Sequence, residues 1–533
     1  MTLSGKIAAN ARYALGLRGF LRHSIDLEGA RSLLQSHLAR REASFLKVIE
    51  RGVYAQRKSP YRWLLQRADI DFEDVERLVA QTGVEGTLER LYDAGVYVTL
   101  EESKGRQPLR RNGDELPVSA ADFHNPLLAT AFDKRSSGSS GIPTRARIDF
   151  GRVLLESSYV TVLQHVHGLE GRRFGLWEPG LTIFALVLAK MGNPPERVFT
   201  TADTRTLGLR TAIFMRYTQW VCGRLGQKLP PLEYVRREDV IQIARWLAEK
   251  TAAGTPAVMV CMTTPAVRIC LAAKEHGLDI SGTVFRIGGE PYTPSKAEVI
   301  ASAGARTAGH YVLSEIGSVG AACGTPAHLD DYHAFKEKLG IIQREKRMAS
   351  GASVPAMIYT TIVPVGHSLM LNTESGDYAT MEERECGCDF GRLGYTTHLS
   401  GVGSYEKLTG EGVTFVGSRL YEVVEKLLPA RFGGNVADYQ IVEEEEQGLP
   451  KVSIVVAPRV GPVDEQALVA TILESLAATH EDGGQAMTDI WRQSGTLRVV
   501  RREPYATATM KVLPLHVMRP DAAKKKNGGN AAK

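Results

Sequence analysis

The sequence predicts an α/β protein: a large N-terminal domain of helix-covered, mostly parallel sheets, followed by a small α/β C-terminal domain. Three observations lead there. Short apolar runs alternate with helical patterns through the middle of the chain, as in strand–helix–strand units. A change of texture to Gly, Ser, Thr and Cys over residues 372–412 separates that rhythm from a second, compact α/β pattern. Finally, 533 residues with 43% hydrophobic and 23% charged side chains have the composition of folded globular domains. They are neither a disordered chain nor a fibrous repeat nor a disulfide-dense miniprotein.

The elements follow in order. Lys6, Arg12, Arg18 and Arg22 occur with no acid before Asp26. Transit peptides and membrane-surface helices share that pattern; we read a basic amphipathic helix lying on its own protein. Residues 27–98 read as helices, because Leu33, Leu34, Leu38, Phe45, Leu46 and Ile49 recur at helical spacing. Residues 1–120 are therefore a helical N-terminal segment without obvious chemistry. A core domain spans 121–400. In it Ala257–Cys261 is a short apolar run, and a helical pattern follows from Thr263-Thr264-Pro265 through His276. Val284–Ile287 reads as a strand, Pro294–Ala303 as a helix and Thr307–Val312 as another strand. Parallel sheets of this kind bind ligands past the carboxyl ends of their strands, where the Gly-rich turns fall here. The small domain covers 404–518, with strands at Val413–Val416 and Val452–Val456 and helices at Tyr421–Leu428 and Glu465–Ala478. Residues 519–533 are Lys-rich and Gly/Asn-rich and should be disordered.

Charge and cysteine content narrow the function. The net charge is +5, and Lys524, Lys525, Lys526 and Lys533 supply four of those charges, so the folded body is nearly neutral. That excludes the usual electrostatic nucleic-acid binder. No run of about twenty apolar residues is present, so no membrane-spanning helix is expected. Six cysteines in so long a chain make no disulfide framework. They suit metal or reduced-thiol chemistry and a cytoplasmic setting.

The most informative segment is Ser136-Ser137-Gly138-Ser139-Ser140-Gly141, followed by Ile142-Pro143-Thr144. Hydroxyls and exposed backbone N–H groups without intervening bulk can wrap phosphate oxygens. It is not a Walker loop, since no Lys-Ser/Thr follows Gly141, and it lacks the Gly-x-Ser-x-Gly of a nucleophile elbow. Taken alone, it also suits a Ser/Gly linker. Four more blocks follow it: Ile287-Gly288-Gly289-Glu290-Pro291, His310-Tyr311-Val312-Leu313-Ser314-Glu315, Glu374-Ser375-Gly376-Asp377 and Thr509-Met510-Lys511-Val512. In this order the five resemble the T-S-G-T-T-G-x-P-K, G-G-E-P, Y-G-x-T-E, R-T-G-D and G-K motifs of the adenylate-forming superfamily of acyl-CoA ligases, luciferases and adenylation domains. The branch they most resemble is that of phenylacetate–CoA ligase and coenzyme F390 synthetase-like proteins, which also carries S-S-G.

The resemblance implies an enzyme that activates a small carboxylic acid with ATP and Mg²⁺, releases pyrophosphate and passes the acyl group to coenzyme A. The small domain would then be mobile. Ser136, Ser137, Gly138, Ser139, Ser140 and Gly141 would hold the β- and γ-phosphates. Gly289, Glu290, Pro291 and Tyr311 would form the adenine site. Ser314 would lie near the α-phosphate, and Asp377 would accept the ribose hydroxyls. Glu315 would help to hold Mg²⁺, which prefers hard oxygen ligands. Lys511 would be the catalytic lysine, stabilising charge at the α-phosphate. Trp177, Phe184 and Thr200-Thr201 fall where the superfamily places its acyl pocket, and equally suit plain core.

Some positions depart from the motifs. Val312 replaces the Gly of Y-G-x-T-E, Met510 precedes Lys511, and Gly401-Val402-Gly403-Ser404-Tyr405-Glu406 stands where the hinge reads G-R-x-D-D. Two alternatives therefore stay open: transfer to an amine or an acyl carrier protein, and a non-catalytic nucleotide-binding homologue. A structural zinc is also expected. Cys386 and Cys388 offer two thiolates from one turn, and Cys323 with His328 completes a tetrahedral set, with His333 as a competing ligand. The same branch contains similar Cys/His and Cys-x-Cys groups.

Overall fold

The computed structural model describes residues 3–128, 132–135, 145–178, 183–200, 209–236, 239–347, 353–404, 407–410, 413–416, 423–434, 438–446, 449–477, 488, 491–505 and 515–517. Helices dominate the first hundred residues: α1 (Leu3–Leu21), α2 (Leu27–Ala39), α3 (Arg41–Val48), α4 (Pro60–Arg67), α5 (Phe72–Asp93) and the short α6 (Leu100–Ser103). Local signals start several of them. Asp26 caps α2 by accepting from the Gly29 N–H at 2.8 Å, and Asp71 and Asp74 form a capping box on α5. These helices do not stand apart from the rest. Phe45, Leu64, Val75 and Leu88 share one core with Ile342, Ile358 and Leu369, each fully buried side chain contributing about 1.5–3 kcal/mol. A small hairpin, Leu109–Arg111 with Asp114–Leu116, interrupts the helical run.

The parallel sheet expected from the sequence is present. Its six strands lie in the order Arg306–Thr307, Val284–Gly288, Val258–Met262, Phe174–Trp177, Arg197–Thr200, Leu232–Tyr234, all paired parallel. Helices α7 (Phe150–Val166), α8 (Ile183–Lys190), α9 (Leu209–Arg224), α10 (Ile241–Ala252), α11 (Thr263–Glu275) and α12 (Pro294–Ser302) accompany it. Separate cores, one holding Phe184, Leu186 and Val260 and the other Trp246, Ile269 and Phe285, are shared between sheet and helices. Strands buried among helices in this way read as continuous apolar runs, which is why Ala257–Cys261 and Val284–Ile287 were visible in the sequence.

A second sheet of seven strands is antiparallel throughout, in the order His310–Leu313, Gly317–Ala322, Tyr332–Ala334, Thr397–Ser404, Thr373–Glu383, Ser353–Thr361, Leu339–Arg347. The single strand expected at Thr307–Val312 is in fact two. Arg306–Thr307 edges the parallel sheet and His310–Leu313 opens the antiparallel one. Gly309 makes the transfer possible, since a Cβ there would sit 2.9 Å from the Tyr332 ring.

Beyond residue 404, a four-stranded sheet runs Leu497–Arg501, Leu449–Val456, Tyr439–Glu446, Leu515–Val517. With the helix Glu465–Ala477 it encloses its own core of Tyr439, Ile441, Ile454, Leu468, Ile472 and Trp491. The helix expected over Tyr421–Leu428 is, where described, a π-helical turn Val423–Leu427 continuing into an α-helix Leu428–Phe432. The tail 519–533 lies outside the described residues.

Candidate nucleotide cleft and metal cluster

The carboxyl end of strand Val284–Gly288 runs into the turn Gly288-Gly289-Glu290-Pro291. Gly288 packs so tightly that a Cβ would meet the His310 carbonyl oxygen at 2.5 Å, and Gly289 adopts φ +78°. The Glu290 side chain is only 1% exposed and points back into the fold. Its carboxylate accepts the Thr264 N–H at 3.2 Å and the Thr264 hydroxyl at the start of α11. Lys296 lies 3.8 Å from the same carboxylate and donates to the Pro291 carbonyl at 3.0 Å. Glu290 thus fixes the turn from behind.

That turn forms one wall of a cleft. Tyr311, Glu315, Ser375, Asp377 and Ser404 line the rest, together with His310 and Lys104. The sequence blocks around residues 289, 311, 315 and 377 therefore converge on one space. Ser314 does not line it. Ser136–Gly141 and Lys511 lie outside the described residues; the strands flanking the serine loop pair antiparallel, with Arg135 opposite Arg145.

Asp377 is almost fully buried, at 6% exposure. The Tyr311 hydroxyl donates to its Oδ2 at 2.8 Å and the Ser404 hydroxyl to its Oδ1 at 2.7 Å. Tyr359 donates in turn to the Tyr311 oxygen at 3.1 Å. Burial, and then the charge of Asp377, push the Tyr311 phenol well above its ordinary value, so it remains a protonated donor. An ionised carboxylate accepts on both oxygens, which is the chemistry that suits vicinal hydroxyls. His310 is held neutral: burial and the Arg286 charge push its pKa well down. Its Nδ1 lies 2.9 Å from the Ile287 carbonyl, which requires Nδ1 to carry the proton.

Glu315 makes an ion pair with Lys104, Nζ to Oε1 2.6 Å, with the two side chains 14% and 25% exposed. Lys104 was missed in the sequence. It follows α6, a single turn held by a capping box between Thr99 and Glu102. Strand Thr373–Glu383, which bears Asp377, anchors that turn: the Glu374 N–H donates to the Val98 carbonyl at 2.9 Å, and Glu374 Oε2 accepts the Leu100 N–H at 3.4 Å. The leading helical segment thus delivers a cation to the cleft.

A second site involves strands of the same antiparallel sheet. Ligand atoms of Cys323, His333, Cys386 and His398 all fall within 4.8 Å of one another. His333 and His398 are direct cross-strand partners. His333 Nδ1 lies 2.6 Å from the Tyr395 carbonyl, so it is the protonated nitrogen, and Nε2 turns its lone pair to Cys388 Sγ at 3.1 Å and Cys386 Sγ at 3.5 Å. His398 Nδ1 lies 2.6 Å from Asp331 Oδ1, while its buried Nε2 has no hydrogen-bond partner. Gly387, at φ +71°, makes the tight Cys-x-Cys turn. Oriented imidazoles backed by a carbonyl and a carboxylate, among soft sulfurs, suit zinc. His328, expected as a ligand, stands outside this group: its side chain is 48% exposed and lies 3.6 Å from Glu382. The strand register brings His333 and His398 inward instead.

No protein-family model matches the chain, and no curated protein does. Among solved structures it is similar to a 2-hydroxyisobutyryl-CoA ligase in its postadenylation state in complex with R3-HIB-AMP. The identity is 13% and the TM-score 0.43, over 96% of this chain and 94% of the other. It is also similar to an o-succinylbenzoate CoA synthetase from Bacillus subtilis, with 12% identity and TM-score 0.38 over 72% and 68% of the two chains. An amide bond synthetase from Marinactinospora thermotolerans gives 13% identity and TM-score 0.31 over 97% and 100%. Likenesses this distant assign no function, which must come from the site itself.

All six cysteines are free. Cys222, Cys261 and Cys270 are buried in core, as their apolar sequence context predicts. Trp177 and Phe184 are also buried, and the Arg286 guanidinium stacks 4.4 Å from the Phe184 ring centroid.

Proposed function

We propose that this chain is an AMP-forming acid–thiol ligase of the phenylacetate–CoA ligase type. The observation that carries the reading is the convergence of Gly289–Pro291, Tyr311, Glu315 and Asp377, distant in sequence, on one cleft at the carboxyl end of a parallel strand. A carboxylate oxygen of the acid attacks the α-phosphorus of ATP, and the bond to pyrophosphate breaks. The sulfur of coenzyme A then attacks the acyl carbon, and AMP leaves with the bridging oxygen.

In this reading Asp377, oriented by Tyr311 and Ser404, accepts the ribose hydroxyls, and the Gly289 turn frames the base. Glu315 is the residue that would hold Mg²⁺, whose charge offsets that of the triphosphate. Ser136–Gly141 hold the β- and γ-phosphates, Ser314 serves the α-phosphate, and Lys511 stabilises the charge developing there. The segment 404–518 is the mobile small domain that carries Lys511. Cys323, His333, Cys386 and His398 would hold a structural zinc that ties strand Tyr332–Ala334 to strand Thr397–Ser404 and to the Cys-x-Cys turn. The free thiols fit a cytoplasmic setting.

Incubation with ATP, Mg²⁺, coenzyme A and a panel of carboxylic acids should give AMP and an acyl-CoA in equal amounts with at least one acid. AMP formation with acyl transfer only to an added amine or carrier protein would favour the alternative acceptors. Tight ATP binding without any AMP would mark a non-catalytic homologue.

A further inference from the structure

Among the described residues, three of the five exposed large hydrophobic side chains fall on two helices, the other two being Tyr234 and Leu329. Leu15, at 84% exposure, lies on α1, while Ile213 at 59% and Trp220 at 58% lie on α9. Both helices are free of acids: no Asp or Glu occurs from Met1 to Ile25 or from Thr204 to Leu232, whereas Lys and Arg recur in both stretches.

The helices are packed side by side. Tyr13 and Phe214 rings lie 4.4 Å apart between centroids, the Tyr13 and Thr218 hydroxyls are 2.8 Å apart, and the Tyr217 hydroxyl donates to the Ala14 carbonyl at 2.6 Å. Tyr13, Leu17 and Leu21 of α1 and Thr218, Val221 and Cys222 of α9 are buried. The exposed positions form a stripe on each helix, Leu15 and Arg18 on α1 with Arg22 one residue past its end, and Ile213, Arg216, Trp220 and Arg224 on α9, at spacings of three and four. Tyr217 joins the stripes, since its ring lies 6.1 Å from that of Trp220 while its hydroxyl holds the residue before Leu15. Arg224 stacks 5.5 Å from the Trp220 ring centroid. Among the described residues no carboxylate pairs with Arg18, Arg22, Arg216 or Arg224.

We propose that this face docks on an anionic lipid surface. Unpaired guanidinium groups without a single acid between them attract phosphate headgroups. A Trp and two aliphatic side chains are the kind that enter the boundary between headgroups and acyl chains. The apolar side chains project outward rather than lining a recess. A deformable lipid interface receives such projections, whereas a protein partner would need a matching set of pockets. The contact is peripheral: no helix among the described residues is long and apolar enough to cross a membrane.

The test is flotation of the full chain with phosphatidylcholine vesicles, with and without about 30% phosphatidylglycerol. The protein should float with the anionic vesicles, stay behind with neutral ones, and lose binding as salt rises. Each basic residue near such a surface is worth a factor of about five, so Arg18→Gln with Arg216→Gln should weaken partitioning about twenty-five-fold. Leu15→Ser with Trp220→Ser should also reduce binding while leaving the far-ultraviolet circular dichroism and unfolding midpoint unchanged. The proposal fails if the chain floats equally with neutral vesicles, if it floats with neither, or if both variants bind as the parent does. It also fails if sedimentation shows a dimer that Leu15→Ser with Trp220→Ser dissolves, because the face is then an interface between two copies.

Discussion

Lys104→Met isolates the least expected feature of the cleft. In the free protein the Lys104 ammonium lies 2.6 Å from Glu315 Oε1, in contact with the carboxylate that would hold a divalent cation. Lysine and cation therefore compete. The pair is partly shielded, at 14% and 25% exposure, so it should exceed the 0–1 kcal/mol of an exposed pair without approaching a dry one. We take about 1–2 kcal/mol, or roughly five- to thirty-fold in an equilibrium constant. Lys104→Met should tighten binding of free Mn²⁺, read by water-proton relaxation without nucleotide, by about that factor. The same change should weaken ATP, because the displaced ammonium would otherwise join the phosphate oxygens. Opposite movements of the two affinities are the signature, since a purely structural defect weakens both. Glu315→Gln should abolish the Mn²⁺ effect. Unchanged affinities for both Mn²⁺ and ATP in Lys104→Met would refute the reasoning.

Three further outcomes follow from other residues. Asp377→Ala leaves the hydroxyls of Tyr311 and Ser404 without their acceptor, so urea unfolding should show a loss of about 1–3 kcal/mol together with weakened ATP binding. The purified chain should contain about one zinc by metal analysis, which His333→Ala removes and His328→Ala leaves in place; chelation should lower the melting temperature of the parent. Glu156 is largely shielded, with its side chain 12% exposed, and desolvation alone would raise its pKa, but Lys338, Arg152 and Ser318 outweigh that and hold it below the ordinary 4.5. A depressed carboxylate contributes stability that is complete above 4.5 and lost as pH falls through the lower folded value. The stability of Glu156→Gln, measured in urea from neutral to acid pH, should accordingly fall less steeply than that of the parent.

The legible parts of this protein were those in which a short segment carries its own chemistry. Gly289 is required by a turn at positive φ, while Glu315 and Asp377 sit in blocks compact enough to stand out singly. Buried parallel strands announced themselves as apolar runs. The antiparallel sheet did not, because segments such as Gly317–Ala322 are built of small residues and its ladders contain register shifts at Tyr311/Val312 and Tyr378/Thr380. Lys104 looked like any surface lysine, since its partner is 211 positions away. The cysteines were visible by spacing, but the choice among histidines depended on a ladder that sets His333 opposite His398, which no local pattern encodes. The basic character of α1 was plain in sequence, whereas its alignment with α9 arises from tertiary packing.

The most direct test of the nucleotide cleft is ATP–pyrophosphate exchange over a panel of carboxylic acids with every acyl acceptor left out. It reads adenylation alone. The parent should exchange with at least one acid, and Lys511→Ala should lower that rate by roughly a hundred- to a thousand-fold. Glu315→Ala should be impaired in a way that added Mg²⁺ partly restores, whereas no amount of Mg²⁺ should restore Lys511→Ala. Exchange at the parent rate in both Glu315→Ala and Asp377→Ala would contradict the assignment, because the reaction would then not take place in this cleft.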